Sequence, residues 1–299
     1  MASGQDTEAI LTAIRGVTAV KYADGAAVAM FVYDYILTLE MEIELVWKSK
    51  WNWIKYVYLF QRYLPFVDTV FLSVFIKSGN KGASECWHLY FADSFVMIIG
   101  MCASEIILTV RVWALWNRDK RMTVLLPVCY AVCIVPTFVA MYFFCESLTF
   151  GEAPYPGFRG CFPTGAKRYV VYCWALLLVY NCLIMLLMTF PGLQASIFGN
   201  SSLSRTVYKD GLWHYIYLFV WSIINIGISA TQPPATRSVI ASVERVLHSM
   251  LASRVLLHMR DHSRQMEYAS DMKMSADNAR NPENVILEPI GPKYRGRIL

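Results

Sequence analysis

Three stretches of this chain, Met122–Cys145, Tyr169–Pro191 and Leu212–Thr231, each run for about twenty residues or more without Asp, Glu, Lys or Arg. A soluble domain has no use for repeated runs of that length. At 1.5 Å per residue they match a hydrocarbon core about 30 Å thick. The whole chain is 56% hydrophobic and only 16% charged, with a mean hydropathy of +0.40, against about 25% charge in soluble domains. The bilayer is therefore the solvent to which the sequence answers.

Spans are expected at 24–47, 53–76, 87–113, 122–146, 168–192 and 212–231, with a seventh, more polar segment at 236–259. Loop chemistry separates them: "KSGNKGASE", "NRDKR", "GEAPYPGFRGCFPTG", "GNSSLS" and "QPPAT". The expected class is an all-α membrane protein, a receptor-like seven-helix bundle with its N-terminus outside. The alternative is six spans plus an amphipathic helix lying on the membrane surface. The domain plan is an N-terminal segment over 1–21, a membrane domain over 22–260 and a disordered cytoplasmic tail over 261–299. Asp6 and Glu8 occupy the place of a basic signal-peptide n-region, so no cleaved leader is expected.

Lys and Arg mark the cytoplasmic side of short loops. With the N-terminus outside, Lys48, Lys50, Lys55, Arg118, Lys120, Arg121, Arg205, Lys209, Arg254, Arg260 and Arg264 fall inside. Arg15, Lys21, Lys77, Lys81, Arg159, Lys167, Arg168 and Arg237 fall outside. The bias is slight. Asn200 heads the acceptor Asn-Ser-Ser and would face the cytosol without sugar. On the outer side Cys86 could tie to Cys161, with Cys145 as the competing partner, since that face permits disulfides. The other cysteines lie within spans as packing residues.

Charges inside spans are costly and become functional candidates by default. Counting inward from Trp47, Glu44 lies ~5 Å deep, Glu42 ~8 Å, Glu40 ~10 Å and Asp34 ~20 Å. Counting from Trp53, Arg62 lies ~14 Å deep; from Trp116, Arg111 lies ~8 Å and Glu105 ~16 Å. A buried guanidinium needs a partner, so Arg62 is expected to pair with Glu105 or with an acid of span one. Glu40 and Glu44 share a helix face that Glu42 does not, so the acids cannot all meet one partner. Asp34, in a Tyr-Asp-Tyr setting, is the deepest. Asp68 and Asp93 could line an outward-facing cavity with Tyr33, Tyr35 and Tyr180.

The stretch "YDYILTLEMEIELVW", followed by "LFQRYLPFVDT", resembles the domain of unknown function 6533, found in multi-pass membrane proteins of basidiomycete fungi. The likeness falls on Tyr33, Asp34, Thr38, Leu39, Glu42, Trp47, Arg62, Tyr63 and Pro65. "EIILTVRVWALWNRDKR", "PGFRGCFP" and "LASRVLLHMR" fit the same family more loosely. The resemblance implies seven helices and no particular activity. Glu244, Arg245 and His248 make segment seven more polar than that pattern suggests.

Two functions compete on these grounds. One is a receptor-like sensor in the plasma membrane or an endomembrane, with a small extracellular ligand and a cytoplasmic signalling partner. The other is an ion or small-solute transporter or channel using Asp34, Arg62 and Glu105. Common receptor signatures are missing: "TVRVWALW" lacks an acidic-Arg-Tyr run, and segment seven has no Asn-Pro-x-x-Tyr and no Lys for a retinal Schiff base. No catalytic set, P-loop or nucleic-acid motif occurs, and the five histidines do not cluster. His258 and His262 sit four apart, but beside Arg260 and Arg264 they suit a solvated face better than a metal. No enzyme activity, cofactor, metal or nucleic-acid partner is expected, and the bilayer is the one partner that composition dictates.

Overall fold

A computed structural model describes residues 2–79, 81–151, 158–198, 202–233, 236–237 and 239–280. Eight helices and one small hairpin account for them: α1 (Ala2–Glu42), α2 (Trp53–Pro65), α3 (Ser73–Lys77), α4 (Ala83–Leu115), α5 (Lys120–Glu146), β1 (Thr149–Gly151), β2 (Phe162–Gly165), α6 (Tyr169–Phe198), α7 (Ser202–Thr231) and α8 (Ala241–Arg280). Two π-helical stretches, Ile43–Trp47 and Phe66–Leu72, extend α1 and join α2 to α3. Among the described residues five helical segments are long and apolar enough to cross a membrane: Trp53–Lys77, Ala83–Leu115, Lys120–Glu146, Tyr169–Phe190 and Leu212–Thr231.

The helices are inverted relative to a soluble bundle. Val124, Val128, Val132, Val135 and Val139 of α5 are all more than half exposed, whereas Asp34, Glu42, Arg62, Glu244 and Arg245 have no exposed surface. An apolar exterior around a charged interior is stable only where the exterior meets lipid. Between the two lies a core of Tyr58, Leu108, Val112, Ile184, Leu218 and Leu257.

The ends of the bundle are chemically distinct. At one end the Cys86–Cys161 disulfide joins the start of α4 to the start of β2. Cys145, the competing partner, is buried with a free thiol. The segment before Cys161 docks on the end of α3 through Gly160 N–H to Gly79 O (2.8 Å) and Cys161 N–H to Ile76 O (3.3 Å). Gly160 has φ +102°, and a Cβ there would meet the Lys77 backbone at 2.8 Å, so only glycine fits. The loop predicted before span five thus contains an antiparallel hairpin, in which Phe150 opposes Pro163.

At the other end Trp47, Trp51, Trp53 and Tyr56 are about half exposed or more, an aromatic belt of the interfacial kind. Lys55 and Arg260 close the C-terminal turn of the α1 extension there. Lys55 Nζ donates to Trp47 O (3.1 Å) and Ser49 O (3.0 Å), and Arg260 Nη1 donates to Leu45 O (2.9 Å). Cations at a helix C-terminus satisfy its free carbonyls and its dipole together. Asn52 then caps α2 by accepting from Lys55 N–H, and Asp119 caps α5 by accepting from Arg121 N–H.

Two boundaries differ from the sequence reading. The N-terminal segment is not separate, because α1 runs as one helix from Ala2. The chain after 261, expected to be disordered, stays helical to Arg280 and is exposed from 263 to 276. Ala, Met, Glu, Lys and Arg hold the helix there by propensity. Asn200 and residues 281–299 lie outside the described residues.

Candidate functional site

The buried charges gather along α8, which passes through the bundle beside α1, α2, α4 and α7. Near the tryptophan end, Arg62 of α2 reaches α1. Its Nη1 is 3.2 Å from Asp34 Oδ2, its Nε is 3.3 Å from Glu42 Oε2, and its Nη2 donates to Thr38 Oγ1. Tyr35 lies under the guanidinium at 5.2 Å. Glu42 also accepts from Tyr63 OH (2.8 Å) and Trp47 Nε1 (3.1 Å). Asp34 is shared with α8, where Arg254 Nε lies 2.7 Å from its Oδ1. Two acids and two arginines thus share one cluster across three helices, which is how buried charge is tolerated.

A second cluster occupies the middle. His248 of α8 stands between two carboxylates, with Nδ1 3.2 Å from Glu105 Oε1 and Nε2 3.8 Å from Glu244 Oε1. Asn181 of α6, its amide nitrogen turned toward Glu105, lies 3.0 and 3.2 Å from the two carboxylate oxygens. On α7, Ser222 donates to Glu244 (2.7 Å), as does Asn225. A third pair follows toward the disulfide end, Arg245 Nε to Asp68 Oδ2 at 2.9 Å. The Arg245 guanidinium crosses α4 directly over Gly100, where a Cβ would collide with Nη2. Gly100 is the gap that lets an arginine lie between two helices.

The expected partners of Arg62 are thus half corrected. Asp34 and Glu42 of α1 take it, and Glu105 belongs to His248 and Asn181. Glu40 is exposed and makes no part of the cluster, because the face it shares with Glu44 points away from α2. Glu44 meets Arg264 at the surface (3.3 Å). Arg111 is buried further along α4. The sequence singled out Glu244, Arg245 and His248 without their partners, and counted Arg254 only among the cytoplasmic-side charges. Only the spacing of those residues on one side of α8 hinted that they turn inward.

At the disulfide end lies an open cavity with about 1100 Å³ of empty space, part of it continuous with solvent. Its walls come from α1, α3, α4, α5, α6, the hairpin and the start of α8. The acids are Asp24 and Asp93, and the cations Lys21, Lys77 and Arg237. Asp24 pairs with Lys77 and accepts from Ser73 (3.3 Å). Of the residues expected here, Asp93 lines the cavity and Asp68 does not. Tyr33 is 67% exposed on the outer surface, Tyr35 packs on Arg62, and Tyr180 lines a separate apolar pocket between α4, α5 and α6 that reaches Glu105. Trp174, Met97 and Met141 wall both spaces. Asp24, Lys77 and Arg237 escaped the sequence reading because they resemble ordinary helix-end charges.

Among the described residues no three His, Cys, Asp or Glu side chains converge to hold a metal. No curated protein matches the chain. A family model described as a family of unknown function (DUF6533) matches residues 22–67. That stretch contains Asp34, Tyr35, Thr38, Glu42, Trp47, Arg62 and Tyr63, every member of the Arg62 cluster except Arg254 of α8.

Proposed function

We propose that this chain is a receptor-like seven-helix sensor of a small ligand, with the disulfide end outside the cell or in the lumen and the tryptophan end in the cytosol. The observation that carries the reading is a contrast within one molecule: a solvent-connected cavity at the disulfide end, above paired charges of which Asp34, Glu42, Arg62, Glu244, Arg245 and His248 have no exposed surface. Transport through Asp34, Arg62 and Glu105 would need a polar path. Here Asp34 and Arg62 have no exposed surface and Glu105 almost none, and Glu105 belongs to a different cluster.

The seven-span count rests on α1 and α8, which hydropathy alone passes over. From Ala241 at the cavity to Arg260 at the α1 turn, α8 covers about 30 Å, one hydrocarbon thickness. Its fully buried groups, Glu244, Arg245 and His248, face α2, α4 and α7, and Arg254, with a side chain 41% exposed, is held by Asp34 of α1 near the tryptophan end. The same helix touches the cavity at one end and the α1–α2 turn at the other, a direct mechanical route for a signal. Sensing requires no catalytic group, and the reading assigns none.

Proteoliposome flux separates the two functions. Purified protein should pass protons, sodium and potassium no faster than empty liposomes. Flux above that background, abolished by Arg62→Ala, would overturn sensing in favour of transport.

A further inference from the structure

The cavity at the disulfide end holds three cationic and two acidic side chains, Lys21, Lys77 and Arg237 against Asp24 and Asp93. Lys77 is engaged with Asp24 and with Ser73 Oγ (2.5 Å). Lys21 donates to Arg159 O (3.1 Å) beside the Phe158 ring. Arg237 is different. It is 6% exposed, and its guanidinium meets only carbonyls, Nη1 to Ala166 O (2.6 Å) and Nη2 to Gln232 O (3.5 Å). Among the described residues it has no carboxylate within ion-pair distance, and its Nε has no acceptor. A buried guanidinium facing neutral acceptors is an incomplete arrangement.

Trp174 adds a second unpartnered donor. Its side chain lines the same cavity, is 3% exposed, and its Nε1–H has no acceptor among the described residues. Trp174 packs in one cluster with Ala241, four residues after Arg237, so both donors belong to the α6–α8 wall. The remaining lining is largely apolar, with Ile76, Met97, Met141, Phe144 and Val170 among it. Two idle donors, a surplus positive charge and an apolar lining define one kind of guest.

We propose that this cavity binds a small organic carboxylate with an apolar body, its oxygens accepting from Arg237 and Trp174. The proposal deepens the sensing reading and rests on it. A carboxylate would bring the charge of the cavity to balance and satisfy donors that the chain leaves unmet. The apolar body would lie along Met97, Met141 and Phe144.

The test uses the full chain in lipid nanodiscs, with hexanoate as probe and hexylamine and hexanol as matched cation and neutral. Hexanoate should bind saturably and raise the melting temperature, while the other two should not. Arg237→Gln should weaken hexanoate about tenfold or more, as expected for losing a charged hydrogen bond. Arg237→Lys should keep part of the affinity. Trp174→Phe, which keeps the ring and removes the donor, should weaken binding by a smaller factor and covers the case in which Arg237→Gln does not fold. Hexanoate binding that is absent, or unchanged in both Arg237→Gln and Trp174→Phe, overturns the carboxylate site. Hexylamine binding that depends on Asp93 overturns it too, and leaves sensing intact. Hexanoate carried across a proteoliposome membrane would overturn sensing while leaving the carboxylate site standing.

Discussion

Arg62 holds two carboxylates that lipid cannot solvate. Deleting it strands Asp34 and Glu42 with no exposed surface, so Arg62→Ala should destabilise the protein by about 3–5 kcal/mol, measured by denaturation of the purified protein. Arg254 still touches Asp34, which leaves Glu42 the more exposed to the loss. A double-mutant cycle identifies the partner. Arg62→Ala with Asp34→Asn should show coupling of about 1 kcal/mol or more, and Arg62→Ala with Glu105→Gln close to none. Equal coupling in both cycles would contradict the two-cluster arrangement. The sequence made Arg62 and Asp34 legible because a charge at measurable depth in an apolar run demands a partner. It could not choose between Glu105 and α1, since depth gives the level of a side chain and not its direction around the helix. Gly100 shows the same limit. Nothing in "IIGMC" says that an arginine 145 positions later will lie across it, and Gly100→Ala should lower stability measurably by displacing Arg245 from Asp68.

At the scale of elements, α2 leaves α-helical geometry at a proline. Pro65 has no N–H to offer the Gln61 carbonyl, and the chain widens into a π-helical stretch at Phe66–Leu72. Ser249 of α8 donates to Gln61 O instead (3.2 Å), while the Gln61 amide bonds Ser253 (2.7 Å) and Ser104 (3.1 Å). In a lipid environment a freed carbonyl is satisfied by a neighbouring helix, so the break in α2 also fastens α8. Ser249→Ala should cost about 1 kcal/mol or more by leaving that carbonyl short of a donor. Combined with Pro65→Ala, which restores a backbone N–H, the same change should cost markedly less; an undiminished cost would show that Ser249 acts elsewhere. Proline in "RYLPFVD" announces a break, but the helix that repairs it is unreadable from α2 alone. Five of the expected spans, from 53–76 to 212–231, were legible because apolar length is a local property, whereas the hairpin at Thr149–Gly165 depends on docking and on the disulfide.

For the molecule as a whole, α1 and α8 decide what kind of protein this is. Five helical segments declare themselves by hydropathy. The two that do not are the ones whose charges neutralise α2 and one another, so polarity in those helices marks the inside of the bundle rather than exclusion from the membrane. The proposed seven-span topology can be mapped. Glycosylation acceptors placed near Lys81 and Lys167 should be modified, and acceptors near Ser49, Asp119 and Ser270 should not. Modification at Ser270 together with Lys81 would place α8 on the outer surface and remove the seventh crossing. The disulfide supplies an independent check on the same orientation. Cys86 and Cys161 lie 75 residues apart in sequence, and closing a loop of that length stabilises by about 4 kcal/mol in the chain-entropy account. Such a bond persists only on an oxidising face. A membrane-impermeant reductant added to sealed cells or right-side-out vesicles should therefore lower the melting temperature of the wild type, and leave Cys145→Ala equally sensitive. In Cys86→Ser the reductant should have no further effect. Protection of the wild type until the membrane is permeabilised would put the disulfide end, and with it the ligand cavity, on the opposite side or inside an organelle, and the vesicle source would then distinguish a lumenal sensor from an inverted one.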